Sequence, residues 1–92
     1  MARVSIERPS EEKLKELGVF NWPIWEKEVS EFDWYYSESE TFYVLEGEAE
    51  VELEDGEKVR FGSGDLVTFE KGVKCRWKVL KPIKKHYHFG EL

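Results

Sequence analysis

Beyond residue 23 the chain reads as strands and turns, because its apolar positions recur every second residue. Phe32, Trp34 and Tyr36 alternate with more polar neighbours, the period of a half-buried strand. Residues 41–45, Thr-Phe-Tyr-Val-Leu, form a β-branched and aromatic run that ends at Glu46-Gly47. Ala49, Val51 and Leu53 then alternate with Glu48, Glu50, Glu52 and Glu54. These glutamates must face water, since four unpaired buried carboxylates would be prohibitive. Asp55-Gly56 signals a hairpin, and residues 58–61 return from it. Further short strands are expected at 66–69, at 74–80 and, beyond the break at Pro82, at 83–89, with Gly-containing turns before the first two. Seven or more short strands argue for an all-β sandwich or barrel.

The exception lies near the start, where residues 10–17 read as a helix. Ser10 is a capping residue, Glu11 and Glu12 suit the positive end of the helix dipole, and Gly18 stops it. Leu14 and Leu17 give it one apolar face for docking against something larger. Asn21-Trp22-Pro23 then breaks the chain.

Ninety-two residues suit one domain spanning 1–92, since two halves could not each bury a core. Four Trp, four Tyr and six Phe make that core heavy for its length. With 14 Lys and Arg against 20 Asp and Glu, the net charge is −6, which disfavours nucleic acid as a partner. The run Lys81, Lys84 and Lys85 is too short to change that. No segment offers the roughly 18 uncharged apolar residues of a membrane span, so no membrane partner is expected. Residues 1–9 lack a signal peptide's apolar core, and the lone Cys75 cannot form an internal disulfide. Together these predict a cytoplasmic protein. Abundant Glu and Lys, no Gln, and a single Asn, Cys and Met give a thermophile-like bias.

The turn spacing resembles that of the cupins. Glu40 followed six residues later by Gly47 matches the tail of the first cupin motif, H-x-H-x(3,4)-E-x(6)-G. Gly64 with Lys71-Gly72 matches the second, G-x(5)-P-x-G-x(2)-H-x(3)-N. The resemblance covers about 22–89 and is closest to small EutQ and ureidoglycine aminohydrolase-like cupins. It rests also on Phe32-Asp33-Trp34, Cys75-Arg76-Trp77 and Lys85-His86-Tyr87. It implies a single-domain jelly-roll β-barrel with a short N-terminal helix, its pocket lined from one mouth.

In metal-binding cupins two histidines, a glutamate and a third histidine hold one divalent ion. The resemblance places Trp34, Tyr36, Glu40 and Cys75 at those four positions, with Glu70 for the motif proline and Val79 for its asparagine. Indole nitrogen only donates, and tyrosine must ionise to ligate. No cofactor is therefore predicted, and any divalent metal would rest on Glu40 and Cys75. His86-Tyr87-His88 could offer two imidazoles on one face, but no third ligand is spaced nearby.

Strand alternation puts Trp34 and Tyr36 on one face, and Cys75 and Trp77 on one face of theirs. The family geometry turns both inward. With Glu40 they would line a site for a small organic ligand, or they would simply fill a small barrel. A carboxylate among aromatics is a candidate acid or base, assisted by Tyr36 or Cys75. Cys75 is a nucleophile only beside a base or cation, and a buried inert thiol otherwise. On the last strand parity turns either His86 and His88 or Lys85 and Tyr87 inward; Lys85 and Tyr87 are expected inside as part of the ligand site, where Lys85 could meet Glu40 or an anionic ligand. Trp22 and Trp25 would form a homodimer surface or cover the open end of the barrel. The leading expectation is metal-independent binding of a small molecule. The alternatives are a cupin enzyme of aminohydrolase or sugar-modifying type built on Glu40, and a structural or assembly subunit with a packed interior.

Overall fold

A computed structural model describes residues 3–92 of the chain; Met1 and Ala2, the start of the segment inspected for a leader, lie outside the described residues. Seven strands form one antiparallel system: β1 (Val4–Glu7), β2 (Ile24–Lys27), β3 (Ser30–Tyr35), β4 (Glu40–Leu53), β5 (Lys58–Gly62), β6 (Leu66–Phe69) and β7 (Lys74–Phe89). Between β1 and β2 lie helix α1 (Glu11–Leu17) and a 3-10 turn at Val19–Asn21. The Ser10 side chain accepts from the Lys13 amide at 3.2 Å, and Gly18 closes the helix at φ +73°. The predicted helix and its signals coincide with what forms.

The expected short strands are partly fused. The runs at 41–45 and 49–53 belong to the single strand β4, and those at 74–80 and 83–89 to the single strand β7. Pro82 does not end β7, because the pairing with β4 shifts register between Glu46 and Ala49 and asks no amide of residue 82. Two strands were not resolved as elements in the sequence. β1 and β2 have four residues each and, unlike the equally short β6, which is an apolar run between glycine turns, have nothing in their composition or flanks to mark them.

β4 and β7 pair from Glu40↔Phe89 to Leu53↔Cys75 and form the spine of the barrel. One end of this spine is flanked by β6 and β2, with β1 beyond β6; the other end is flanked by β5 and β3. The two ends fold over each other, so that Phe61 of β5 meets Phe69 of β6 with ring centroids 6.4 Å apart.

The bend exploits a change of parity. Glu40, Phe42 and Val44 face inward at even positions, yet Ala49, Val51 and Leu53 face inward at odd ones. An irregularity between them must shift the alternation by one residue. Gly47, at φ +92°, sits in that irregularity against the backbone of Pro82 and Ile83.

The interior is aromatic. Tyr36 stacks on Phe69 at 4.5 Å, and Phe61 packs edge-on against Phe42 and Trp77, each at 5.3 Å. Such pairs contribute about 0.5–1.5 kcal/mol each beyond the burial of their area. Of the four glutamates expected in water, Glu52 and Glu54 are exposed and Glu48 and Glu50 half-buried, all on the outer face; Arg60 also pairs with Glu48.

Candidate functional site

One end of the barrel is not filled. A cavity of about 120 Å³ opens there, lined by Trp25, Phe32, Trp34, Tyr36, Glu40 and Trp77, with Lys85, Tyr87 and Phe89 from the last strand. Each strand contributes through its alternation. Phe32, Trp34 and then Tyr36 descend β3 and its extension on one face, while Lys85, Tyr87 and Phe89 do so on β7. Trp25 stands opposite Lys85 in the β2–β7 ladder. Trp34 and Phe89, 44% and 48% exposed, frame the mouth.

Inside lies a buried ion pair. Lys85 Nζ donates to Glu40 Oε2 at 2.9 Å, and both side chains are almost wholly removed from solvent. The same ammonium lies over the rings of Phe42 (3.8 Å), Trp25 (4.8 Å) and Trp77 (5.0 Å). Glu40 and the aromatic faces thus stand in for the water that Lys85 loses. Burial pushes the lysine pKa down, and the Glu40 carboxylate opposes that shift. Of the two partners expected for Lys85, Glu40 or an anionic ligand, the structure shows Glu40, so the carboxylate among the aromatics is a paired one.

Tyr36 is the second polar feature. The Trp77 indole donates to its hydroxyl oxygen at 3.3 Å, leaving the O–H as a donor. Burial, reinforced by the negative charge of Glu40, raises the phenol pKa far above its ordinary value of 10.0, so it stays neutral.

The structure brings together Trp34, Tyr36, Glu40, Trp77, Lys85 and Tyr87. It does not bring Cys75 into this group. Cys75 packs in the core behind Trp34, its thiol directed at the Trp34 carbonyl oxygen at 3.6 Å, and it borders an outer cleft with Asp33, Lys74 and Arg76. Burial, and then the nearby Asp33 carboxylate, push its pKa up to about 11. Lys85, His86 and His88, the side chains that could activate the thiol, are engaged elsewhere, Lys85 with Glu40. His86 and His88 face the opposite side of β7, where His86 Nδ1 meets the Trp22 carbonyl oxygen at 2.8 Å and His88 stacks on Trp22 at 5.3 Å. A carbonyl only accepts, so His86 carries its proton on Nδ1.

A thiol held two units above its ordinary pKa exposes about one hundredth of the usual thiolate near neutral pH. Alkylation by iodoacetamide at pH 8 should accordingly be about 100-fold slower in the folded protein than in the unfolded chain. Equal rates, read by mass spectrometry, would refute the assignment of an inert thiol. The sign for stability follows, because the raised pKa favours folding fully below pH 9 and that contribution fades as pH rises through about 11.

Phe32 and Phe89 were not among the expected lining residues, although they share the parity of those that were, so their signal is present in the alternation. Trp25, expected at a homodimer surface or over the open end of the barrel, lines the cavity at that end.

The four positions that hold a divalent ion in metal-binding cupins do not fit one here. Trp34 has no lone pair to offer, Tyr36 is held as a phenol, and Cys75 lies outside the cavity with its proton retained. Lys85 already supplies the positive charge beside Glu40. Among the described residues no group of three or more His, Cys, Asp or Glu could hold a metal ion. No helix among them is long and apolar enough to cross a membrane.

No curated protein matches the sequence. Among solved structures, the chain is similar to a DUF861 family protein from Thermotoga maritima at 65% identity, covering 94% of this chain and 98% of that one, with a TM-score of 0.92. It is also similar to the EutQ protein of Clostridium difficile, at 28% identity over 73% of this chain and 52% of that one. A putative ethanolamine utilization protein Q from Salmonella typhimurium is 25% identical over 73% and 54% respectively, and both give a TM-score of 0.67. The chain thus spans about half the length of those two proteins. The model of the EutQ-like cupin domain matches residues 14–87, and with the barrel described above the conclusion is plain: the chain belongs to the EutQ-like cupin family.

Proposed function

We propose that this cupin binds a small organic molecule in the aromatic cavity, using its own Lys85 and Glu40 in place of a metal ion. The observation that carries the reading is a solvent-reaching cavity of about 120 Å³ with aromatic walls and a single matched pair of charges. Binding sites for small molecules have this composition, mostly apolar surface with a few placed polar groups. An engineered apolar cavity of about 150 Å³ admits benzene, so a compact ring or short branched chain is the right size. An open cavity also speaks against a barrel that is merely packed as an assembly subunit.

A thermal-shift screen of small metabolites tests the reading. A ligand at a hundredfold excess over its Kd stabilises the folded state by about 2.7 kcal/mol. At least one compound should raise Tm in a concentration-dependent way, and Trp34→Ala, which removes a wall at the exposed mouth, should abolish that rise. A broad screen without any shift would overturn it.

A second reading keeps the site and adds turnover. It is favoured by the proton donor and acceptor of Lys85 and Glu40 lying 2.9 Å apart at the cavity, the arrangement a general acid–base pair requires. On that reading Glu40→Gln abolishes a turnover that the parent protein performs.

A further inference from the structure

The pairing of charges in the cavity also specifies the ligand's own charge. Resting on the binding reading above, we infer that the cavity selects an uncharged molecule with an apolar, ring-sized body and one hydrogen-bond acceptor oxygen, such as a carbonyl or amide.

The charge balance comes first. The cavity lining contains one carboxylate and one ammonium, Glu40 and Lys85, in direct contact. Everything else lining it is aromatic, with Tyr36 and Tyr87 carrying neutral hydroxyls. A carboxylate ligand would share one ammonium with Glu40, leaving a net negative charge in a low-dielectric space. An ammonium ligand would compete with Lys85 both for Glu40 and for the faces of Trp25, Phe42 and Trp77. Either adds an uncompensated charge beside a pair that is almost wholly removed from solvent. A neutral molecule leaves the pair intact.

The donor balance comes second. A lysine ammonium carries three N–H groups, and Glu40 takes one at 2.9 Å. Tyr36 accepts from Trp77 and retains its own O–H as a donor. The polar end of the cavity is therefore rich in donors, beside a carboxylate of which the Lys85 contact takes up only Oε2. A ligand carbonyl oxygen accepts from those donors, Oε1 of Glu40 is left to accept from an amide N–H beside it, and the aromatic walls take up the rest of the molecule.

Four probes of one shape separate these effects: benzamide, benzoate, benzylammonium and toluene, titrated into the intact protein at pH 7 by calorimetry or Trp fluorescence. Benzamide should bind at least tenfold more tightly than benzoate and benzylammonium, which it matches in shape, and also more tightly than toluene, which lacks the acceptor. Trp34→Ala should weaken benzamide binding, which places the contact in this cavity. Benzoate or benzylammonium binding as tightly as benzamide would overturn the charge rule while leaving the binding site standing. Toluene equal to benzamide would overturn the acceptor rule in the same way. If none of the four binds, this inference fails, while the broad thermal-shift screen decides the binding reading separately.

Discussion

Replacing Lys85 by Met should lower the stability of the protein by about 3–5 kcal/mol, although Met suits an aromatic cavity in size and shape. The loss does not come from packing. It comes from Glu40, left with its charge in a site where its side chain is only 4% exposed and its partner at 2.9 Å is gone. For a domain of this length such a loss lowers Tm by on the order of 15–25 °C. Glu40→Gln should cost a similar amount, because it strands the ammonium. Removing both charges in Lys85→Met/Glu40→Leu should restore much of the loss, since a well-packed apolar pair often equals a buried ion pair. A double-mutant cycle by thermal and urea unfolding measures this coupling.

The Glu40→Gln variant should also answer to pH. In Glu40→Gln, the partner that raises the Lys85 pKa is removed, and burial, which lowers it from 10.5, acts alone. The folded state then binds fewer protons than the unfolded chain over the alkaline range below 10.5, and stability rises with pH there. Two single variants that melt with the parent at every pH would show that the pair is not a buried ionic contact.

Much of this was legible in the alternation of the chain. Residues spaced by two on a strand share a face, which is why Trp34 with Tyr36, and Lys85 with Tyr87, could be grouped before any coordinates. The meeting of Lys85 with Glu40 could be framed only as one of two outcomes, because alternation gives two faces and does not say which is inward. The outer face is decided by Phe20 and Trp22, which cover His86 and His88. Neither carries a periodic signal, since both lie in or beside a 3-10 turn. Cys75 illustrates the opposite case. It shares the inward face with Trp77, yet Trp77 reaches the cavity while the Cys75 thiol stays in the wall behind Trp34, as two residues along a strand are some 7 Å apart. A shared face does not guarantee a shared site.

Gly47→Ala should be the most damaging single-methyl change in the molecule, costing more than about 4 kcal/mol. A Cβ at this position would lie 2.2 Å from the Pro82 carbonyl oxygen and 2.6 Å from the Ile83 Cα, both backbone atoms that no rotamer can move. Gly56 is the control. It has nearly the same conformation, φ +90° against +92°, but nothing lies within 4 Å of its missing Cβ. Gly56→Ala should therefore cost only the left-handed backbone penalty of about 1–2 kcal/mol, and the difference between the two variants isolates the close approach of β4 to the backbone of Pro82 and Ile83 in β7. Circular dichroism and urea unfolding of both variants measure it, and equal costs would mean that the approach is looser than its geometry. This close approach matters for the site because it sits where the inward parity of β4 changes. Without the shift between Val44 and Ala49, burying Ala49, Val51 and Leu53 would turn Glu40 and Phe42 outward, away from Lys85. The glycine that lets the two long strands approach at this irregularity thus also decides that the carboxylate and the ammonium meet.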